Sequence, residues 1–193
     1  MPDHLSLCCW LEASAARDPR SAFGTLLGLF PFSRLTQQPS TFRILAVDRA
    51  TPTLFERSYP APLSPDDIRA ATADFAGPDL AYELETWWDL WQSSGEGGSV
   101  APARVTLAAL GPEFDSEAGE HLRIDFGPEA QFLPASGGAP ALAMVRSNVR
   151  SLLKLAHDVD ASIPCARRSL SGESGASFAA RLEEALARTS GLN

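Results

Sequence analysis

The sequence has few of the residues from which metal and redox centres are built. Its 193 residues include three cysteines and three histidines. None of them shows the H-x-x-x-H or C-x-x-C spacing that is typical of zinc sites. Cys8 and Cys9 are adjacent, so on a strand their side chains point to opposite faces. We therefore expect small buried cysteines in a reducing, cytoplasmic setting, and neither a metal nor a cofactor.

Several other absences narrow the possible functions. No apolar run approaches the roughly 18 residues of a membrane span, and the first residues lack the basic and apolar pattern of a signal peptide. Neither a G-x-G-x-x-G nor a Walker-type phosphate loop is present, so nucleotide binding has no support. The net charge of −8 also argues against binding to nucleic acid or to an anionic membrane surface.

The negative charge is concentrated in the middle of the chain. Residues 61–135 contain fourteen acidic and three basic side chains, whereas the segments on either side are slightly basic. A localised charge of this kind predicts a particular acidic surface. A charge spread evenly along the chain would indicate solubility alone.

Hydrophobic periodicity predicts an α+β fold. Six strands and four helices are predicted in the order β-α-β-β-α-β-β-β-α-α, with a short additional strand at 131–133. The predicted strands are 5–11, 41–48, 54–59, 81–92, 104–110 and 121–126. The predicted helices are 19–30, 65–76, 142–163 and 177–188. The first 92 residues follow the β-α-β-β-α-β order of a ferredoxin-like fold. We expect the remainder to continue the sheet as an antiparallel meander covered by the last two helices.

The number of domains depends on how the Gly/Ser-rich segment 93–99 is interpreted. If it is a hairpin connection, residues 1–193 form a single α+β domain, which is the preferred interpretation. The alternative is a division there, into a ferredoxin-like half at 1–92 and a half at 100–193 with a β-hairpin and two helices.

The segment 82–91, YELETWWDLW, is the most informative in the chain. On a strand, Tyr82, Leu84, Trp88 and Leu90 lie on one apolar face, against which we expect the long helix 142–163 to pack. The opposite face is acidic and carries two indoles; it consists of Glu83, Glu85, Trp87, Asp89 and Trp91. In a meander, Arg104, His121, Arg123 and Asp125 from the next strands lie on this same face.

Two functions fit this acidic, Trp-bearing face. The preferred hypothesis is a non-catalytic module that binds a protein partner, a ligand or a second copy of itself as a homodimer, because exposed aromatic patches are typical of interfaces. Its predicted binding residues are Trp87, Trp91, Asp89, Arg104 and Arg123. The alternative is a small hydrolase or isomerase in which carboxylates and a histidine act as acid and base or hold a cation. Its candidate residues are Glu83, Glu85, His121 and Asp125.

Two further charged segments are interpreted as solvated surface. The acidic segment 113–120 has no EF-hand spacing and is expected to be a solubilising turn between strands. Arg146, Arg150 and Lys154 repeat every four residues, so they form one basic stripe on the long helix. Asn148 lies near the apolar side of that helix, a position that is compatible with a buried hydrogen bond.

Overall fold

The structure is a computed structural model. It describes residues 3–94, 97–133, 138–172 and 177–183. Its centre is one seven-stranded sheet in the order β3-β2-β4-β5-β6-β1-β7. All pairs of neighbouring strands are antiparallel. The chain is therefore α+β, as its periodicity predicts.

The strands and helices are bounded as follows. The strands are β1 (His4–Leu11), β2 (Ser40–Ala46), β3 (Phe55–Tyr59), β4 (Leu80–Ser94), β5 (Gly97–Leu110), β6 (Leu122–Pro128) and β7 (Cys165–Gly172). The helices are α1 (Ala13–Ala16), α2 (Pro19–Leu29), α3 (Pro65–Ala71) and α4 (Gly138–Ser162), with a 3-10 turn at Glu129–Gln131. Residues 178–183 are also helical.

Local sequence signals explain where two of these helices begin. Asp18 caps α2, because its carboxylate accepts a hydrogen bond from the backbone N–H of Ser21 at 3.0 Å. Pro19 occupies the first helical position, where the missing N–H costs nothing. In α3, Pro65 again opens the helix, and Asp66 and Asp67 lie at the positive end of its dipole.

The ferredoxin-like expectation does not match the observed pairing. That fold would pair β1 within the sheet of the first four strands, whereas here β1 lies between β6 and β7. The element order of the first 92 residues agrees with the expectation, but β5 and β6 separate β4 from β1. The expected meander is confirmed, since β4, β5 and β6 pair in sequence.

The C-terminal part differs from the sequence-based prediction in two respects. Residues 165–172 form the edge strand β7, which the irregular pattern of Cys-Ala-Arg-Arg-Ser did not indicate. The short strand expected at 131–133 does not form, because Gln131 ends the 3-10 turn and the next two residues lie in a turn and a bend. The predicted last helix is present at 178–183, Ser177 instead forms a bridge with Ser171, and residues 184–188 lie outside the described residues.

The core lies on one face of the sheet, where the helices pack. Phe23 of α2 stacks on both Phe42 and Tyr82 with ring centroids 5.8 Å apart. Leu84 and Trp88 of β4 are buried in the same cluster together with Leu152 of α4. The long helix therefore packs against part of the apolar face of β4, and α2 covers the Tyr82 end of that face. In the described parts of the chain, no helix has the length and apolar character needed to cross a membrane.

Asn148 connects α4 to the far end of β4. It is buried, and its side-chain oxygen accepts a hydrogen bond from the Trp91 N–H at 2.9 Å. Its side-chain nitrogen donates to the carbonyls of Trp91 at 2.8 Å and Gln131 at 2.9 Å. The amide thus satisfies the backbone of β4 as a neighbouring strand would, which confirms the buried hydrogen bond expected at this position.

Candidate functional site

The side of the sheet opposite the core, here called the polar face, carries the residues singled out by the sequence. Along β4 its side chains are Glu83, Glu85, Trp87, Asp89 and Trp91. The strand register extends this face to neighbouring strands. Glu83 lies between Arg43 on β2 and Ala108 on β5, and Arg123 on β6 is the next residue in the same row. The meander thus brings the predicted acidic and basic residues onto one surface.

Glu83 and Glu85 are each engaged by arginines. Arg49 contacts Glu83 at 2.6 Å and Arg43 approaches it at 3.9 Å. Arg104 pairs with Glu85 from the adjacent strand. Such cross-strand pairs form a charge ladder, in which opposite charges offset one another without converging on a common point.

Asp89 and Trp87 fasten the segment that follows α2. Asp89 accepts a hydrogen bond from the Ser33 hydroxyl and another from the Arg34 N–H at 2.8 Å. The indole N–H of Trp87 donates to the Pro39 carbonyl at 3.0 Å. Both side chains therefore have structural contacts in addition to their positions on the polar face.

Trp91 is the accessible indole of the polar face. It is 37% exposed, and Val100, directly opposite it on β5, is also 37% exposed. Leu35, two residues after Ser33, is 51% exposed. At the end of the polar face that carries Trp91 and Val100, two apolar side chains on neighbouring strands are thus exposed to solvent.

The acidic segment 113–120 is folded onto the polar face. Phe114 is buried in a second small apolar cluster with Leu45, Ala81 and Leu110. The Glu113 N–H donates to the Pro78 carbonyl at 2.9 Å. The segment is the expected turn between β5 and β6, with Glu113, Asp115 and Glu117 exposed, but Phe114 also packs it against the sheet. An aromatic residue within an acidic segment was the available signal, because Phe114 must bury its ring somewhere.

The backbone at the base of this segment is fixed by close packing. A Cβ at Gly111 would lie 2.1 Å from the Pro78 carbonyl oxygen, so only glycine fits there. Val47 has φ +71°, which is strained for a β-branched residue. Its N–H donates to Asp79 and its carbonyl accepts from Asp115 at 2.7 Å, and these bonds hold the turn beside the acidic segment.

Between the acidic segment and the sheet lies a cleft of about 560 Å³. It is bordered by the turn after β2, by the acidic segment and by β4, β5 and β6. Six carboxylates line it, from Asp48, Glu83, Asp115, Glu117, Glu120 and Asp125, and two guanidinium groups, from Arg49 and Arg123. The excess of carboxylates makes the cleft suited to a cationic group.

Two of the predicted site residues on β6, Arg123 and Asp125, line the cleft. Asp125 lines the cleft, accepts from the Gly127 N–H at 2.8 Å and lies 3.4 Å from His4. Arg123 also lines it and lies 3.5 Å from the buried Glu120. Sequence reasoning did not identify Glu120 as a site residue.

His121 is engaged with the backbone of β1. Its Nδ1 accepts a hydrogen bond from the Leu11 N–H at 3.1 Å, which requires that nitrogen to be unprotonated. Burial lowers the pKa of His121, and the nearby Glu120 carboxylate opposes this shift. His121 is not among the described residues that line the cleft.

Within the described ranges, no three His, Cys, Asp or Glu side chains are placed to hold a metal ion. Cys8 and Cys9 are buried, and Cys165 is half-buried.

No family model, curated protein or solved structure matches the chain.

Proposed function

We propose that the protein is a non-catalytic binding module that docks a partner bearing arginine or lysine side chains on its polar face. The observation that carries this proposal is the presence of two features on the same side of the sheet. The cleft is lined by six carboxylates and only two guanidinium groups, and Trp91 and Val100 are exposed eight residues, or about 26 Å, farther along β4 than Glu83. Guanidinium groups pair with carboxylates and stack on indoles, so one basic segment satisfies both features.

The contacts of the charged residues favour binding over catalysis. Glu85 is paired with Arg104, Glu83 with Arg49, and His121 with the backbone of β1. A general acid–base pair needs groups that reach one reacting centre at about 3 Å. The alternative of a hydrolase or isomerase rests on Glu83 and Asp125, which share the cleft.

A peptide titration tests the proposal. The probe is a fluorescein-labelled peptide of eight arginines, with a peptide of eight glutamates as its control. We expect saturable binding of the arginine peptide at physiological salt. The paired substitutions Asp115→Asn and Glu117→Gln should weaken binding about fivefold to tenfold, and Trp91→Ala should weaken it severalfold while the chain remains folded.

The matched control removes the same charge elsewhere. Asp67 and Asp74 are exposed and lie on or after α3, away from the polar face. The paired substitutions Asp67→Asn and Asp74→Asn should leave binding unchanged. Equal weakening by both pairs would show that net charge alone attracts the peptide, and the proposal would be wrong.

Self-association is the second form of this function. Sedimentation velocity of the wild type and Trp91→Ala distinguishes the two. A dimer that dissociates on Trp91→Ala would identify the second copy as the partner, whereas a monomer that binds the arginine peptide would identify a separate basic partner.

A further inference from the structure

A second surface lies on the outer side of α4, away from the polar face. The apolar residues of this helix do not enter the core equally along its length. Leu152, Leu155 and Val159 are buried, whereas Leu142, Val145 and Val149 are only half-buried. The first half of the helix therefore leaves part of its apolar surface outside the core.

These residues form the floor of a groove of about 420 Å³. Leu153, which is 53% exposed, continues the floor, and Leu182 closes one side. The position of Leu182 is fixed by its neighbours, because Phe178 is buried and Arg181 pairs with Asp3 at 2.5 Å. Leu142 to Leu153 covers about 16 Å along the helix axis, or three turns.

The rim of the groove is basic. Arg146 and Arg150 are exposed, lie one turn apart and line the groove. Neither takes part in an ion pair with another residue that the structure describes. Lys154, the next residue in the row, is instead paired with Asp158 at 2.5 Å. The two arginines are thus available to a partner's carboxylates.

We propose that this groove binds an acidic, amphipathic helix of a partner protein. Three turns of a partner helix would place leucine-like side chains on the apolar floor. Its Glu or Asp side chains would lie against Arg146 and Arg150. Helices bind grooves in this way through residues at i, i+3, i+4 and i+7. The charge of the rim selects an acidic helix, and the length of the floor sets its size.

The probe is a synthetic 18-residue peptide with leucines at helical spacing and glutamates on the flanks, labelled with fluorescein. A second peptide has lysine in place of every glutamate. Fluorescence anisotropy with the full chain should show saturable binding of the glutamate peptide and at least tenfold weaker binding of the lysine peptide. Equal affinities would overturn the proposal.

Variants locate the binding. Arg146→Glu with Arg150→Glu should weaken binding of the glutamate peptide about tenfold, and Leu153→Asp should weaken it similarly. The matched control Arg17→Glu changes an exposed arginine near the other end of the chain and should have no effect. Circular dichroism confirms that each variant is folded. Binding that is unaffected by the groove substitutions would overturn the proposal.

Two other occupants are outcomes of the same experiment. Binding of the peptide only after Leu186→Asp would show that the chain's own C-terminal residues fill the groove. Association with phosphatidylglycerol vesicles, lost on Arg146→Glu with Arg150→Glu and unaccompanied by peptide binding, would show a membrane surface. Either result would overturn the assignment of an acidic helix.

Discussion

The most sensitive test of the fold is the substitution Asn148→Leu. Asn148 is 2% exposed and makes three hydrogen bonds to the backbone of Trp91 and Gln131. Leucine keeps the number and branching of the side-chain heavy atoms but cannot donate or accept, so three backbone groups lose their partner. Each such bond contributes a net of about 0.5–1.5 kcal/mol. We expect the free energy of unfolding to fall by about 2–4 kcal/mol, and Tm by about 4–16 °C.

The measurement is urea unfolding followed by tryptophan fluorescence and by circular dichroism. Asn148→Asp should be at least as destabilising, because a second acceptor would then face the carbonyls of Trp91 and Gln131. Ser151→Ala, at an exposed position on the same helix, is the matched control and should change stability little. A loss below about 0.5 kcal/mol for Asn148→Leu would refute the assignment of these bonds as the link between α4 and β4.

Three further predictions follow from single contacts. Because burial lowers the pKa of His121, this side chain binds a proton more readily in the unfolded chain than in the folded one. The free energy of unfolding should therefore fall as the pH drops below about 6.5. Urea unfolding at several pH values should show a smaller dependence of stability on pH for His121→Gln. Val47→Asn should raise stability by about 1 kcal/mol, since asparagine tolerates φ +71° and Val47 is mostly exposed; a lower Tm would contradict the assigned strain. A double-mutant cycle of Arg104→Ala and Glu85→Ala should give a coupling energy of only about 0.2–1 kcal/mol, as is typical of an exposed ion pair; a coupling above 2 kcal/mol would contradict this interpretation.

Much of the secondary structure follows from short-range patterns. The strict alternation from Tyr82 to Trp91 predicts β4 and both of its faces, and the Pro65 start predicts α3. Both signals come from residues that are close together in the sequence: the alternation of side chains along a strand and the proline at the first position of a helix. Local backbone geometry alone explains them. The burial of Asn148 was predictable for the same reason, because its place on the helix face is set by the 3.6-residue period.

The candidate site depended more strongly on long-range pairing. The residues of the polar face could be predicted from the sequence, because a meander places consecutive strands side by side. The cleft was not, since it requires Phe114 to bury beside Leu45 and the strained turn at Val47 to hold Asp115. No local pattern specifies which surface a loop will fold onto.

The sequence by itself determined the α+β character, the acidic middle third and the two faces of β4, because each is a property of neighbouring residues. Only the tertiary structure decided that β1 pairs with β6 and β7, that the acidic segment borders a cleft, and that apolar residues in the first half of α4 line a surface groove. These outcomes depend on how the whole chain shares one apolar face of the sheet. The core includes residues of α2, α3 and the second half of α4, and the apolar residues that remain outside it stay exposed.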